Sequence, residues 1–284
     1  MATWTARRRA GRAARSTRSS GRRAANSKAL RWLARSGLAA RGAMYIIVGW
    51  IAVQVAFGHS GQQADKTGAL QEVGATPVGG VLLWLLVIGF IGMALWRLSE
   101  AAYGRPGSGE QKTSQRLAAL GRAVVYAVIA YSVLEFAMGT GGQQSSDKQS
   151  VDLTATLLKY PGGQVLVVVI GLALVGGGAY LAYSAWQEKF RKDLELGQLP
   201  GRARRIVEWL GKFGGLARGA VFITVGIFLV VAAVQAKPHQ AKGVDSALRT
   251  LASTPLGPWL LVLVAIGLIM FGLFSFCEAK WLRL

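Results

Sequence analysis

Three arginines stand where the chain enters long apolar stretches: Arg41, Arg122 and Arg218. An ionisable side chain at that depth either snorkels to the interface or finds a partner inside the protein. Candidate partners are Glu100 and Glu278, each 23 residues beyond a proline (Pro77 and Pro255). Hairpin geometry would bring Arg41 near Glu100 and Arg218 near Glu278. Such pairs could lock hairpins, cross-link neighbours or gate an ion or substrate; the bland alternative is interfacial anchoring. The same count from Pro161 lands on Ser184, so Arg122 lacks a carboxylate from its own segment. It could take Glu100, bind a lipid phosphate or face water, and this asymmetry hints at a specialised site. Tyr45, Tyr126 and Phe222 follow the three arginines by four residues, so each ring can lie against its arginine as a cation–π partner or simply pack. Thirteen residues after the first two arginines come Gln54 and Glu135. Glu135 is the one carboxylate well inside an apolar stretch, a functional candidate unless it reaches water near the outer surface.

Other chemistry is sparse. The single cysteine, Cys277, cannot form an intramolecular disulfide and reads as a small apolar filler. His59 and His239 lie in different loops without paired carboxylates. No residue set suggests catalysis, a cofactor or a metal. The glycines Gly89, Gly92, Gly171, Gly215, Gly219, Gly267 and Gly272 fall at helical spacing without a phosphate-loop pattern, which predicts close helix packing.

These residues need a membrane scaffold. The chain is 52% hydrophobic yet carries a formal charge of +20, and the two properties are segregated along it. Six apolar segments run over about 38–57, 79–98, 119–138, 162–184, 215–235 and 258–277. Each has ~20 residues, enough to cross a ~30 Å hydrocarbon core as a helix, which satisfies its own backbone there. Of the 33 lysines and arginines, 27 fall on one side of this arrangement and six on the other. The positive-inside rule therefore places both termini in the cytoplasm and the Pro77, Pro161 and Pro255 turns outside. Before those prolines, Leu70 and Val73, Leu153 and Leu157, and Leu248 and Leu251 predict short amphipathic helices at the outer interface. The inner segments 185–196 and 202–213 are expected to extend the adjoining helices, with a break at Gly197 and Pro200.

Residues 1–31 are rich in Arg, Ser, Ala and Gly without an acidic residue. They read as a disordered basic cytoplasmic tail attracted to anionic lipid headgroups. A transit segment shares this composition; one lone aromatic, Trp4, argues against nucleic-acid binding.

Two signatures recur three times. Gly37-Leu38-Ala39-Ala40-Arg41-Gly42-Ala43-Met44-Tyr45 is matched by Leu120-Gly121-Arg122-Ala123-Val124-Val125-Tyr126 and by Gly215-Leu216-Ala217-Arg218-Gly219-Ala220-Val221-Phe222. The runs starting at Gly68, Asp152 and Ser246 each reach a proline nine residues on, with glycine two residues later. The chain thus divides into repeats over 32–108, 109–198 and 199–284, each with two spans and therefore inserted in the same sense. Mitochondrial carriers share three two-helix repeats, but their motif at the end of odd helices is absent here. In combination the signatures resemble the bacterial membrane family called domain of unknown function 1206. The resemblance covers about Leu30 to the C-terminus and implies an inner-membrane protein of three two-helix repeats with no established activity.

The expected fold is all-α: a polytopic bundle of six transmembrane helices in three tandem parallel repeats, its axis packed or open. A non-enzymatic structural, regulatory or partner-binding envelope component fits the absence of chemistry, with the bilayer and an unidentified membrane protein as partners. A small-solute or ion channel on a pseudo-threefold bundle is the alternative. A lipid-modifying enzyme would need more clustered acids and histidines than Glu100 and Glu278 provide.

Overall fold

The computed structural model describes residues 28–58, 63–104, 113–140, 145–195, 197, 199–252 and 257–282. The basic tail before Lys28, His59 and Pro255 lie outside the described residues. Among the described residues nine α-helices follow one another: α1 Lys28–Ala56, α2 Lys66–Gly74, α3 Gly79–Tyr103, α4 Thr113–Ala137, α5 Ser146–Leu158, α6 Gly163–Trp186, α7 Gly201–Val234, α8 Val244–Ala252 and α9 Gly257–Trp281. The described residues contain no strand, only an isolated bridge between Leu194 and Leu282. Helices α1, α3, α4, α6, α7 and α9 are long and apolar enough to cross a membrane. Their outward faces carry exposed Trp84, Ile88, Val128, Val169, Trp259 and Leu263. Apolar surface on that scale belongs against lipid, not water. The chain is a multi-pass membrane protein.

The six spans coincide with the predicted apolar segments, and the short helices α2, α5 and α8 precede the turns as expected. Two boundaries differ. Helix α1 starts at Lys28, inside the segment read as tail. The stretch after α6 does not extend it. Glu188 takes a left-handed backbone, a 3-10 turn follows at Lys189–Lys192, and Glu195 donates its N–H to the Trp281 carbonyl at 3.0 Å. Tertiary pairing with the end of α9 overrides local propensity there. Residues 202–213 do extend α7, which begins at Gly201 after Pro200.

Packing defines the architecture. Around the bundle, α4 packs on α3, α3 on α1, α1 on α9, α9 on α7 and α7 on α6. The first and third repeats are helical hairpins. The second is not, because no comparable seam joins α4 to α6. The two most extensive seams join helices of different repeats, α1 with α9 and α6 with α7. A Cβ on Gly42 would meet the Gly272 carbonyl at 2.8 Å, and one on Gly219 would meet that of Gly178 at 2.8 Å. Only glycine lets the backbones approach so closely, and dispersion across such seams holds membrane helices together. The equivalent positions between the first and second repeats are Ala94 and Ala123. A continuous core runs through the centre: Leu38 and Met44 from α1, Phe90 and Met93 from α3, Tyr126 and Val133 from α4, and Leu268 from α9.

Candidate functional site

Two clusters of polar side chains tie the repeats together, one at each end of the bundle. The first lies at the end where the chain starts and finishes. Arg41 is 8% exposed. Its guanidinium pairs with the Glu278 carboxylate on α9, and its Nε donates to Ser275 Oγ at 3.1 Å. It also donates to the Tyr126 hydroxyl on α4 at 3.4 Å and lies 5.1 Å from the centre of the Phe271 ring. Three helices from three repeats therefore meet on one cation. Ser275 in turn donates to the Phe271 carbonyl at 2.9 Å, which fixes its lone pair toward Arg41. The arrangement satisfies most of the desolvated charge, the condition for a buried pair to be tolerated.

The within-hairpin pairs expected from the sequence do not form. Arg41 takes Glu278 of the third repeat, not Glu100, while Glu100 accepts from Arg97 of its own helix at 2.7 Å. The reason is the cyclic order: α1 packs on α9 as well as on α3, so Arg41 reaches the α9 carboxylate, while Glu100 on α3 is engaged by Arg97. The aromatic rings are redistributed in the same sense. Tyr126 serves Arg41, and Tyr45 lies 5.8 Å from Arg218, so each reaches the arginine of the preceding repeat. Phe222 alone keeps its own arginine, at 5.3 Å. Arg218 also lies 4.9 Å from the Phe271 ring. No hydrogen bond or carboxylate pairs with it among the described residues, and its buried Nε has no acceptor. Arg122 is exposed on α4 and has interactions of its own. The vacancy inferred for Arg122 thus belongs to Arg218.

The second cluster lies at the opposite end and was not anticipated. Asp65, 1% exposed, caps α2 by accepting from Thr67 N–H at 2.8 Å and Gly68 N–H at 3.0 Å. Its other oxygen accepts from Ser146 N–H at 2.7 Å and Ser146 Oγ at 2.6 Å. Asp147 accepts from Gly243 N–H at 2.6 Å and Ser246 Oγ at 2.6 Å. Asp245 closes the circle by accepting from Ala64 N–H at 2.7 Å, while Arg249 donates to its second oxygen at 2.8 Å. Each repeat's aspartate thus holds the next repeat's short-helix entrance. Carboxylates at helix N-termini satisfy otherwise orphaned N–H groups and complement the helix dipole.

The remaining candidates are peripheral. Glu135 lies near the end of α4, beside the aspartate circle and within electrostatic reach of Lys66. Burial pushes the Lys66 ammonium below the usual lysine range, opposed by Asp65 and Glu135. Gln54 is half-buried in the last turn of α1. Cys277 packs beside Leu194, Val207, Phe271 and Phe274. No group of three metal-binding side chains occurs among the described residues.

Comparison with known proteins follows the repeat pattern. The family model described as Domain of Unknown Function (DUF1206) matches three times, over residues 36–104, 117–188 and 213–281. An uncharacterized protein of Bacillus subtilis (strain 168), YxxB, is 30% identical over 243 residues, spanning 85% of this chain and 87% of the relative. No solved structure matches.

Proposed function

The chain belongs to the family described as Domain of Unknown Function (DUF1206), and from that premise we propose a non-enzymatic component of the bacterial plasma membrane with a structural, regulatory or partner-binding role. Both termini face the cytoplasm in this reading, because 27 of 33 cationic side chains then stay inside. The observation that carries the proposal is the cross-repeat bonding at both ends of the bundle axis. The aspartate circle ties the outer ends of the repeats, and the Arg41 cluster fills the cytoplasmic half beside Phe271 and Tyr126. Residues committed to such bonds are poorly placed to line a conduit. Glu135, which would be central to ion passage, lies at the rim.

The test is solute and ion flux through liposomes containing the purified full-length chain. The expected result is flux equal to protein-free vesicles, for the wild type and for Glu135→Gln alike. Saturable flux that Glu135→Gln abolishes would replace this reading with a transporter.

A further inference from the structure

The two glycine seams give the bundle an internal ruler. In one, Gly42 faces Gly272; in the other, Gly219 faces Gly178, with matching close approaches. Arg41 directly precedes Gly42, and Arg218 directly precedes Gly219. Glu278 stands six residues after Gly272, and the residue six after Gly178 is Ser184. Ser275 stands three after Gly272, and its counterpart is Leu181. The seam beside Arg218 has therefore lost both acceptors that serve Arg41. The rings around the Arg218 guanidinium come from other helices as well as its own: Tyr45 on α1, Phe222 on α7 and Phe271 on α9 all lie within 5.8 Å of it.

A guanidinium does not lose its proton in a protein. Left inside a membrane bundle without an anion, it carries a desolvation cost that a paired one does not. The Nε of Arg218 is shut off from solvent and makes no hydrogen bond. The residue as a whole is only partly buried, so part of the guanidinium remains reachable. The access side follows from the packing. Among the described residues, helix α6, which carries Ser184, packs on α7 but shares no comparable seam with α4, which leaves a gap between α4 and α6 beside this seam. A planar guanidinium matches phosphate with two parallel hydrogen bonds.

We propose that Arg218, with the Ser184 hydroxyl as a second donor, binds a phosphate group in the place that Glu278 occupies beside Arg41. The group enters between α4 and α6. A phospholipid headgroup and inorganic phosphate share this chemistry.

The experiment uses the full-length chain in neutral detergent, with two probes. Retention of phosphatidylglycerol against phosphatidylcholine is read by native mass spectrometry, and the shift in melting temperature is read with inorganic phosphate. Ser184→Glu restores the carboxylate missing from the seam and Arg218→Gln removes the cation. Expected is preferential retention of phosphatidylglycerol by the wild type, weakened about tenfold or more in both variants, the scale of one hydrogen bond to a charged group. Should Arg218→Gln fail to fold, Ser184→Glu carries the test, since it adds an ion pair. A melting shift by inorganic phosphate in the wild type only, without lipid discrimination, upholds the site with a free anion as its ligand. Wild-type protein that responds to neither probe, or Ser184→Glu protein that responds as the wild type does, overturns it.

Discussion

Replacing Asp65 separates capping from inter-repeat bonding. Its two oxygens serve different elements: one accepts from Thr67 and Gly68 in its own helix, the other from the backbone and hydroxyl of Ser146 in the next repeat. Asp65→Asn keeps one oxygen, so it can serve one set but not both. Asp65→Ala serves neither. Losing a helix cap costs about 1 kcal/mol. Losing charge-assisted hydrogen bonds at a site 1% exposed costs about 1.5–3 kcal/mol each, with overlap between bonds on one oxygen. Asp65→Asn is therefore expected to destabilise by about 2 kcal/mol and Asp65→Ala by about 4 kcal/mol. Asp152→Ala, at an exposed position on α5, should stay within about 0.5 kcal/mol of wild type. The assay is equilibrium unfolding in mixed neutral detergent and dodecyl sulfate micelles, followed by tryptophan fluorescence. Asp65→Ala behaving like Asp152→Ala would refute the reasoning.

Two further outcomes follow from the same geometry. Gly219→Leu drives a side chain into the Gly178 carbonyl, 2.8 Å from its Cβ, and should cost about 3 kcal/mol or separate α6 from the bundle. Gly177→Ala, with open space around it, should be neutral or slightly stabilising in the same unfolding assay. Lys66 gives a pH dependence. Its pKa lies below the unfolded value of 10.5, first because of burial, so the unfolded chain binds more protons between the folded value and 10.5. Stability contributed by this group therefore rises with pH through that window, and Lys66→Met should remove the rise, as checked by unfolding midpoints across alkaline pH.

The architecture was legible because its causes are local and one-dimensional. Spans such as 79–98 and 258–277 announce themselves by length and apolarity, and the three arginine openings repeat in strict register with their aromatic residues. The partners of those arginines were not legible. A hairpin argument joins neighbours along the chain, whereas Arg41 and Glu278 are 237 residues apart and meet only because the ring brings the third repeat back to the first. The aspartate circle escaped notice for a different reason. Asp65, Asp147 and Asp245 stand 12, 14 and 10 residues before Pro77, Pro161 and Pro255, so the repeat alignment does not superpose them. The capping preference at Asp65, directly before α2, was the available signal. The parting of α4 from α6 has no mark in the hydrophobic pattern, which reports that a helix is apolar and not which helix it meets.

The cyclic pairing between repeats is tested most directly by two double-mutant cycles in the unfolding assay. Arg41→Met combined with Glu278→Gln should show a coupling of about 2–4 kcal/mol, as a buried pair requires. Arg41→Met combined with Glu100→Gln should couple by less than about 0.5 kcal/mol. Strong coupling of Arg41 to Glu100, with none to Glu278, would contradict the arrangement described.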